Sequence, residues 1–391
     1  MSKPDAKATP DRFPVAGGKP RIVERVDHGV SRRDIDPDAL KILYRLHQSG
    51  FAAYLVGGGV RDLMLGRRPK DFDIATDARP RQVKKLFRNC RIIGRRFRLA
   101  HLHYPDGKII EVATFRSSSE SDGIVRDGEL IRRDNVYGTA EEDATRRDLT
   151  INGLFYNIGD FSVIDYVGGV EDLRAGLVRT IQDPVFSFRE DPVRMMRAIR
   201  HTTRLSFSIE EQTRRALVSE RDEILKANEA RMIEELYKDL ASGHAREYFD
   251  TLHEFGFLKL LLPDLVATFR QRSARSGKAL LDDCLRRLDQ MVRDGLEVTH
   301  SLGLAALFAP LILPKALEVE QTGVPRGALP FEPFLQLLGP IFQKRIRVYR
   351  RDQERLWHAL GAWPRIAKAL ERGNIPVALR QRHYLRDAAE I

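Results

Sequence analysis

Val56-Gly57-Gly58-Gly59-Val60-Arg61-Asp62 follows directly on the apolar run that starts at Ala52, and after a short helical segment comes Lys70-Asp71-Phe72-Asp73. Strand, glycine turn, helix and then a short acidic strand predict an α/β unit with its polar chemistry gathered at one strand end. Adjacent glycines let backbone amides approach phosphate oxygens, because no Cβ stands in the way. A tight strand-to-helix turn accounts for three glycines equally well without any ligand. Asp71 and Asp73 shift that balance. Residues two apart on a strand point to one face, so both carboxylates arrive at the same place and repel each other. A hard cation such as Mg²⁺ relieves the repulsion and keeps coordination places for water and substrate phosphates. A solvated strand edge is the commoner fate of an isolated Asp-x-Asp; beside a glycine turn and an arginine it is the lesser one.

Working outward, a helix is expected to open at Asp36-Pro37, with aspartate as cap and proline in the first turn, and to carry Ala39, Leu40, Leu43 and Leu46 before stopping at Gly50. Phe72 to Ala75, Leu99 to His103 and Ile109 to Phe115 read as further strands, with a helix over Arg81 to Phe87. Ser117 to Asn135 is polar, with Asp122-Gly123 and Asp127-Gly128, and reads as a mobile loop insertion. After Pro192 strand signals vanish. Successive amphipathic helices are expected instead, including Ala230 to Leu240 and Ala245 to Leu252, one of them opened by a Ser208/Glu211 capping box, with breaks at Pro263 and from Pro310 to Pro314.

The chain has 391 residues with 66 Lys plus Arg against 55 Asp plus Glu, a net charge of +11. That surplus suits a polyanionic partner, and the length calls for more than one core. Mean hydropathy is −0.36 with no apolar run of membrane-spanning length, so no membrane partner is expected. Cys90 and Cys284 stand far apart. They provide neither a disulfide framework nor a zinc spacing, leave no disulfide partner, and fit a reducing, cytoplasmic location. Met1 to Arg25 mixes proline, glycine and charge without a signal-peptide core, and reads as a mobile basic tail.

Two further stretches carry chemistry. Glu111 is one acid in an otherwise apolar strand, where it either completes a three-carboxylate metal site beside Asp73 or pairs with an arginine such as Arg116. Glu142 to Asn152 packs acids, arginines and an asparagine into one region, which is either a salt-bridged helix end or a binding surface for triphosphate and ribose.

The series Leu55 to Asp62, Asp71-Phe72-Asp73, Arg146-Arg147-Asp148-Leu149-Thr150-Ile151-Asn152, Asp165-Tyr166-Val167-Gly168-Gly169 with Asp172-Leu173, and Arg189-Glu190-Asp191-Pro192-Val193-Arg194 resembles the class II nucleotidyltransferase family, in that family's order. The family contains tRNA CCA-adding enzymes and bacterial poly(A) polymerases. The resemblance implies an α+β architecture: a polymerase-β-like nucleotidyltransferase head with a mixed sheet, then an all-α neck and body. The expected division is a flexible basic tail over 1–30, the head over 31–182, a helical neck and RNA-binding domain over 183–265, and a helical body over 266–391. It implies that Asp71 and Asp73 hold two Mg²⁺ ions, that Asp148 and Glu111 are further catalytic acids, and that ATP is the substrate. Gly57, Gly58, Arg61, Arg147 and Asn152 would bind the nucleotide, with Asp191 and Arg194 reading the base and Arg197 beside them. The partner implied is an RNA 3′ end, and the protein a monomer.

Within the family, Ser31-Arg32-x-x-Ile35 and the stretch Leu86 to His101 resemble the poly(A) polymerase branch. Arg95, Arg96 and Arg98 in that stretch suit an RNA end or a triphosphate, while a solvated basic hairpin explains any one of them. Lys344 to Arg351 either tracks RNA or forms a helix with a basic outer face. The expected activity is template-independent addition of AMP to RNA. CCA addition or A addition to tRNA is the alternative, and a catalytically dead basic RNA-binding protein is the alternative of another class. A small-molecule nucleotidyltransferase would need no long basic helical body.

Overall fold

Asp36 accepts hydrogen bonds from the backbone N–H groups of Asp38 and Ala39 at 2.8 and 3.3 Å. With Pro37 in the first turn, the helix α1 (Pro37–Gln48) starts where its capping pattern predicts and buries Ala39, Ile42, Leu43 and Leu46. The structure, a computed structural model, describes residues 19–371 apart from 95–97, 118–123, 128–129, 135, 271–275, 321–329 and 345. The chain divides into two compact units, Met1–Arg194 with Phe207–Ala216, and Met195–Ser206 with Leu217–Ile391.

The first unit continues the chain with strands β1 (Arg21–Val23), β2 (Ala53–Val56), β3 (Asp73–Thr76), β4 (Cys90–Ile93), β5 (Leu99–His103), β6 (Ile109–Thr114), β7 (Ile124–Asp127), β8 (Leu130–Asp134), β9 (Leu154–Asn157), β10 (Val163–Asp165), β11 (Leu177–Val178) and β12 (Ser208–Ile209). Between them lie α2 (Gly58–Met64), α3 (Pro80–Leu86), α4 (Ala140–Thr145), α5 (Gly169–Ala175) and α6 (Pro184–Glu190); α7 (Val193–Leu205) and α8 (Glu211–Ser219) each run from one unit into the other. Eight strands form one mixed sheet in the order β1-β10-β9-β2-β3-β6-β5-β4. All neighbours are antiparallel except β3 and β6. Val56, Ala75, Phe115, Ala144, Phe155, Val167 and Ile181 pack into one buried cluster against it.

Several expectations are corrected here. The N-terminal tail ends sooner than the sequence suggests, because residues 21–23 pair with β10 as β1; residues 1–18 lie outside the described residues. The polar insertion from Ser117 to Asn135 contains the antiparallel strand pair β7–β8; its residues 118–123, 128–129 and 135 lie outside the described residues. Strands do not vanish after Pro192, since Ser208–Ile209 pairs in parallel with β11. Ser208 is thus in a strand, and α8 is capped by Glu210, whose carboxylate accepts from the backbone N–H groups of Gln212 and Thr213 at 3.0 and 2.8 Å.

The second unit is helical: α9 (Glu229–Leu240), α10 (Ala245–Glu254), α11 (Phe257–Leu261), α12 (Pro263–Ala267), α13 (Gly277–Arg293), α14 (His300–Glu320), α15 (Phe331–Lys344) and α16 (Arg350–Glu371). Leu236, Phe249, Leu285, Leu304, Phe308, Phe334 and Leu356 are among its buried side chains. Pro263 opens α12, but Pro310 and Pro314 do not break α14. They stand one helical turn apart, so the N–H that Pro314 lacks is the one that would have met the carbonyl of Pro310. Burial of Leu304, Leu307, Phe308 and Ile312 keeps the helix continuous. Lys344 to Arg351 is not a single helix either: Ile346 and Val348 are buried in a link outside any helix, Arg347 and Tyr349 are exposed, and α16 begins at Arg350. Arg200 is buried on α7, where it donates to the carboxylates of Glu235 and Asp239 and, at 2.9 Å, to the carbonyl of Glu235. Among the described residues no helix is long and apolar enough to cross a membrane.

Candidate active site

Strand β2 delivers the glycine turn to the middle of the sheet. Val56 is paired with Asp73 on one side and with Phe155 on the other, so the turn emerges between the acidic strand and β9. Gly57 has φ +71 and ψ −137, a conformation that L side chains avoid, and a Cβ there would lie 3.1 Å from Nη1 of Arg147. A Cβ on Gly59 would come within 3.4 Å of the Asp71 carbonyl. Both positions therefore allow close approach of neighbouring groups.

Asp71 and Asp73 are exposed on either side of the half-buried Phe72. Only Asp73 is within β3; Asp71 directly precedes the strand. Both stay next to the glycine turn, Asp73 paired with Val56 and the Asp71 carbonyl facing Gly59. In the parallel register of β3 and β6, Ile74 faces Val112, which brings Glu111 level with Asp73 on the neighbouring strand. Glu111 is not the buried acid that its apolar neighbours in sequence suggest. It is exposed, because Ile110, Val112 and Thr114 take the inward positions of the alternation. Its Oε1 lies 3.2 Å from Nε2 of His101, directly opposite on β5.

The turn after α4 supplies the other wall. Asn152 donates to Oδ1 of Asp148 at 3.2 Å and accepts from Nη1 of Arg61 at 2.7 Å. Arg61 is 2% exposed and also donates through Nε and Nη2 to Asp62 at 2.9 and 2.7 Å. Asp148 is buried, and its carboxylate accepts from the backbone N–H of Leu149 at 2.9 Å. Arg147 donates to Asp143 at 2.9 Å and lies over the Phe155 ring at 5.1 Å. Burial alone would raise the Asp143 carboxyl, but Arg147 and Arg116 together hold it below the ordinary carboxylate value. Asp143 falls inside the Glu142 to Asn152 stretch without being singled out there, although its spacing of four residues from Arg147 is an ion-pair signal.

The Asp165 to Asp172 motif is architectural. Asp165 accepts four backbone N–H bonds, from Val167, Gly168, Gly169 and Val170 at 2.9–3.0 Å, which fixes the start of α5. A Cβ on Gly169 would fall 2.2 Å from the Thr150 carbonyl, and Thr150 donates to Asp172 at 2.7 Å. The motif thereby holds the 150–152 turn that carries Asn152.

Arg194 donates through Nη1 to Ser187 at 2.9 Å and through Nη2 to the Arg146 carbonyl at 3.2 Å, and pairs with Glu190 at 2.9 Å. Asp191 is buried at the end of α6. The structure thus gathers Gly57, Gly58, Arg61, Arg147, Asp148 and Asn152, with Asp71 and Asp73 at the start of β3, Glu111 level with Asp73 inside β6, and Arg194 tied to the same 146–152 segment. Arg197 belongs to the second unit, where its Nη1 lies 3.9 Å from Glu235. Arg98 is exposed and lines a cavity of about 440 Å³ with Arg79, Arg81 and Tyr137. Arg95 and Arg96 lie outside the described residues.

Among the described residues no group of three or more His, Cys, Asp and Glu is gathered closely enough to hold a metal by itself. Two exposed carboxylates with only oxygen donors nevertheless fit Mg²⁺, which takes few protein ligands and completes its shell with water and substrate phosphates.

Residues 53–179 match the family described as the poly A polymerase head domain, and residues 206–268 the one described as the probable RNA and SrmB-binding site of polymerase A. Poly(A) polymerase I of Salmonella typhimurium is 40% identical over 364 residues, covering 86% of this chain and 77% of that protein. The CCA-adding enzyme of Bacillus pumilus is 42% identical over 191 residues, covering 49% of this chain and 46% of that enzyme. Among solved structures, the Bacillus stearothermophilus CCA-adding enzyme in complex with CTP superposes with a TM-score of 0.56 at 26% identity, over 90% of this chain and 78% of that one.

Proposed function

Because the chain belongs to the nucleotidyltransferase family of bacterial poly(A) polymerases and CCA-adding enzymes, we infer that it is a polynucleotide adenylyltransferase, which transfers AMP from ATP to an RNA 3′ end and releases pyrophosphate. The observation that carries the poly(A) reading is the extent of likeness. Identity of 40% to a poly(A) polymerase runs through 86% of this chain, whereas the CCA-adding relative at 42% covers 49% of it.

The 3′ hydroxyl attacks the α-phosphorus of ATP, the bond to the β,γ-phosphates breaks, and the hydroxyl proton leaves to solvent. In our reading Asp71 and Asp73 hold Mg²⁺, which when bound lowers the pKa of the attacking hydroxyl and neutralises charge on the leaving pyrophosphate. The backbone of Gly57 and Gly58 leaves room for the triphosphate. Arg61, Asn152 and Asp148 keep that turn in place, so their contribution to nucleotide binding runs through the backbone they position. Asp191 and Arg194 offer an acceptor and donors to the edge of the base. The neck over 183–265 and the body over 266–391 would hold the RNA, which suits the net charge of +11.

The test is to incubate the protein with ATP, with CTP and with both, on a generic RNA and on a tRNA lacking its terminal CCA, and to sequence the 3′ ends. Long adenosine tails on the generic RNA with ATP alone are expected. Ordered addition of two cytidines and one adenosine to the tRNA, with no tail on the generic RNA, would overturn polyadenylation in favour of CCA addition. A single adenosine added only to tRNA already ending in CC would mark an A-adding enzyme.

A further inference from the structure

A basic trough adjoins the catalytic edge of the first unit, built by residues 25–36 and the turn 66–72. Its part nearer the acids is a cavity of about 690 Å³ lined by Arg33, Arg67, Arg68, Lys70 and Phe72. A second cavity of about 580 Å³ shares Gly29 and Arg33 with it and adds Arg25, Arg32 and Tyr44. The two cavities have Gly29 and Arg33 in common, and the first reaches Lys70 and Phe72, the sequence neighbours of Asp71.

The charge here is available to a ligand. The side chains of Arg33, Arg68 and Lys70 are exposed and have no hydrogen-bond or ion-pair partner among the described residues. Of the acids in the lining, Asp36 is bound to Lys108 at 3.2 Å and caps α1, which leaves Asp34 against several cations. Further along, the guanidinium groups of Arg25 and Arg32 lie over the Phe161 ring at 5.3 and 4.4 Å, and Arg32 donates to the Tyr44 hydroxyl at 2.7 Å. Free cations followed by cations seated on aromatic rings make up the surface that single-stranded nucleic acid uses, with phosphates on the charges and bases against flat groups. Most of the trough is made by residues that precede the head-domain match, which begins at residue 53.

We propose that this trough holds the single-stranded RNA upstream of the reacting 3′ end, with Arg33 and Arg68 on its phosphates. The proposal rests on the adenylyl-transfer reading above. Each bound nucleotide there would retain the growing tail after an addition, so the trough acts on tail length rather than on the chemical step.

The test compares the wild type with the double variant Arg33→Gln/Arg68→Gln, and with Lys84→Gln/Lys85→Gln, two exposed cations of α3, as a control for loss of exposed charge elsewhere. Affinity for a long single-stranded oligonucleotide is measured across a KCl series, alongside the rate of one AMP addition to a short primer and the length of tails on a long one. The trough variant should bind with a salt slope smaller by about 0.7 for each phosphate it no longer neutralises, add the first AMP at the wild-type rate and make shorter tails. The control should keep the wild-type slope and tails. An unchanged slope in the trough variant, or an equal fall in the control, overturns the proposal. Should the wild type add no AMP while the slope still falls only in the trough variant, RNA binding by the trough stands and the adenylyl-transfer reading fails.

Discussion

Arg61 and Asn152, separated by 91 residues in sequence, are joined by a 2.7 Å hydrogen bond beneath the glycine turn. This bond ties α2 to the 148–152 turn, and Asp62 shares the same guanidinium. Replacing Arg61 with alanine takes a charged hydrogen-bond donor from the buried Asp62 carboxylate and from one acceptor of Asn152. A loss of roughly 1.5–3 kcal/mol is expected from removing a hydrogen bond to a charged group, read as a lower urea midpoint. An Arg61→Ala protein as stable as wild type would show that water repays the loss.

Asp71 and Asp73 are exposed and take no part in the core, so their removal should leave the fold alone. Asp71→Ala and Asp73→Ala should each lower AMP transfer on the order of a thousandfold or more. Because the two carboxylates act on one site, the double variant should be no worse than either single one. Thermal unfolding should stay at the wild-type temperature. Extension of RNA by Asp73→Ala protein at the normal rate would remove Asp73 from the chemistry.

Arg194 is held by Ser187, Glu190 and the Arg146 carbonyl, and the proposed function has its remaining guanidinium donors meet the base. In Arg194→Ala the preference for ATP over CTP should fall by about 1–3 kcal/mol, roughly five- to a hundred-and-fiftyfold, as for other donor–acceptor readers of base edges. RNA affinity should change less. Equal loss with all four nucleotides, not relieved in Arg194→Lys, would assign Arg194 to phosphate binding or to structure.

Asp143 links this site to acid stability. Its folded pKa lies below the ordinary value, so the stabilisation it gives is complete above the unfolded carboxylate pKa of about 3.9 and is lost as pH falls through the lower folded value. Asp143→Asn should therefore be less stable than wild type at neutral pH, and the gap should close below about pH 4. Urea midpoints taken from neutral to acid pH would show a constant gap if Asp143 is not the group responsible.

Much of the head is legible in the sequence because its signals are local. The Asp36-Pro37 cap, the alternation of Leu99 to His103 and the glycine turn each announce one element. Glu111 shows the limit of such reading: apolar neighbours in sequence suggest burial, but a strand sends neighbours to opposite faces, and Ile110 and Val112 occupy the inner one. Ser208 resembles a cap because β12 is two residues long and exists only through its pairing with β11, which no local pattern records. Pro310 and Pro314 look like breaks until the buried face of α14 is known. The motifs group Arg61 and Asn152 as nucleotide ligands. Their use of each other depends on a pairing of distant turns that spacing alone does not carry.

The strand β12 also bears on how the protein can be taken apart. Because the first unit reclaims Phe207–Ala216 after the chain has left it at Arg194, no single backbone cut releases either unit whole. A fragment ending at Arg194 forfeits the parallel neighbour of β11 and the Thr213 hydroxyl that accepts the Thr180 N–H at 3.3 Å. One ending at Ala216 carries Arg200 away from Glu235 and Asp239 and leaves its guanidinium without them. Proteolytic nicking should accordingly yield pieces that stay folded only together.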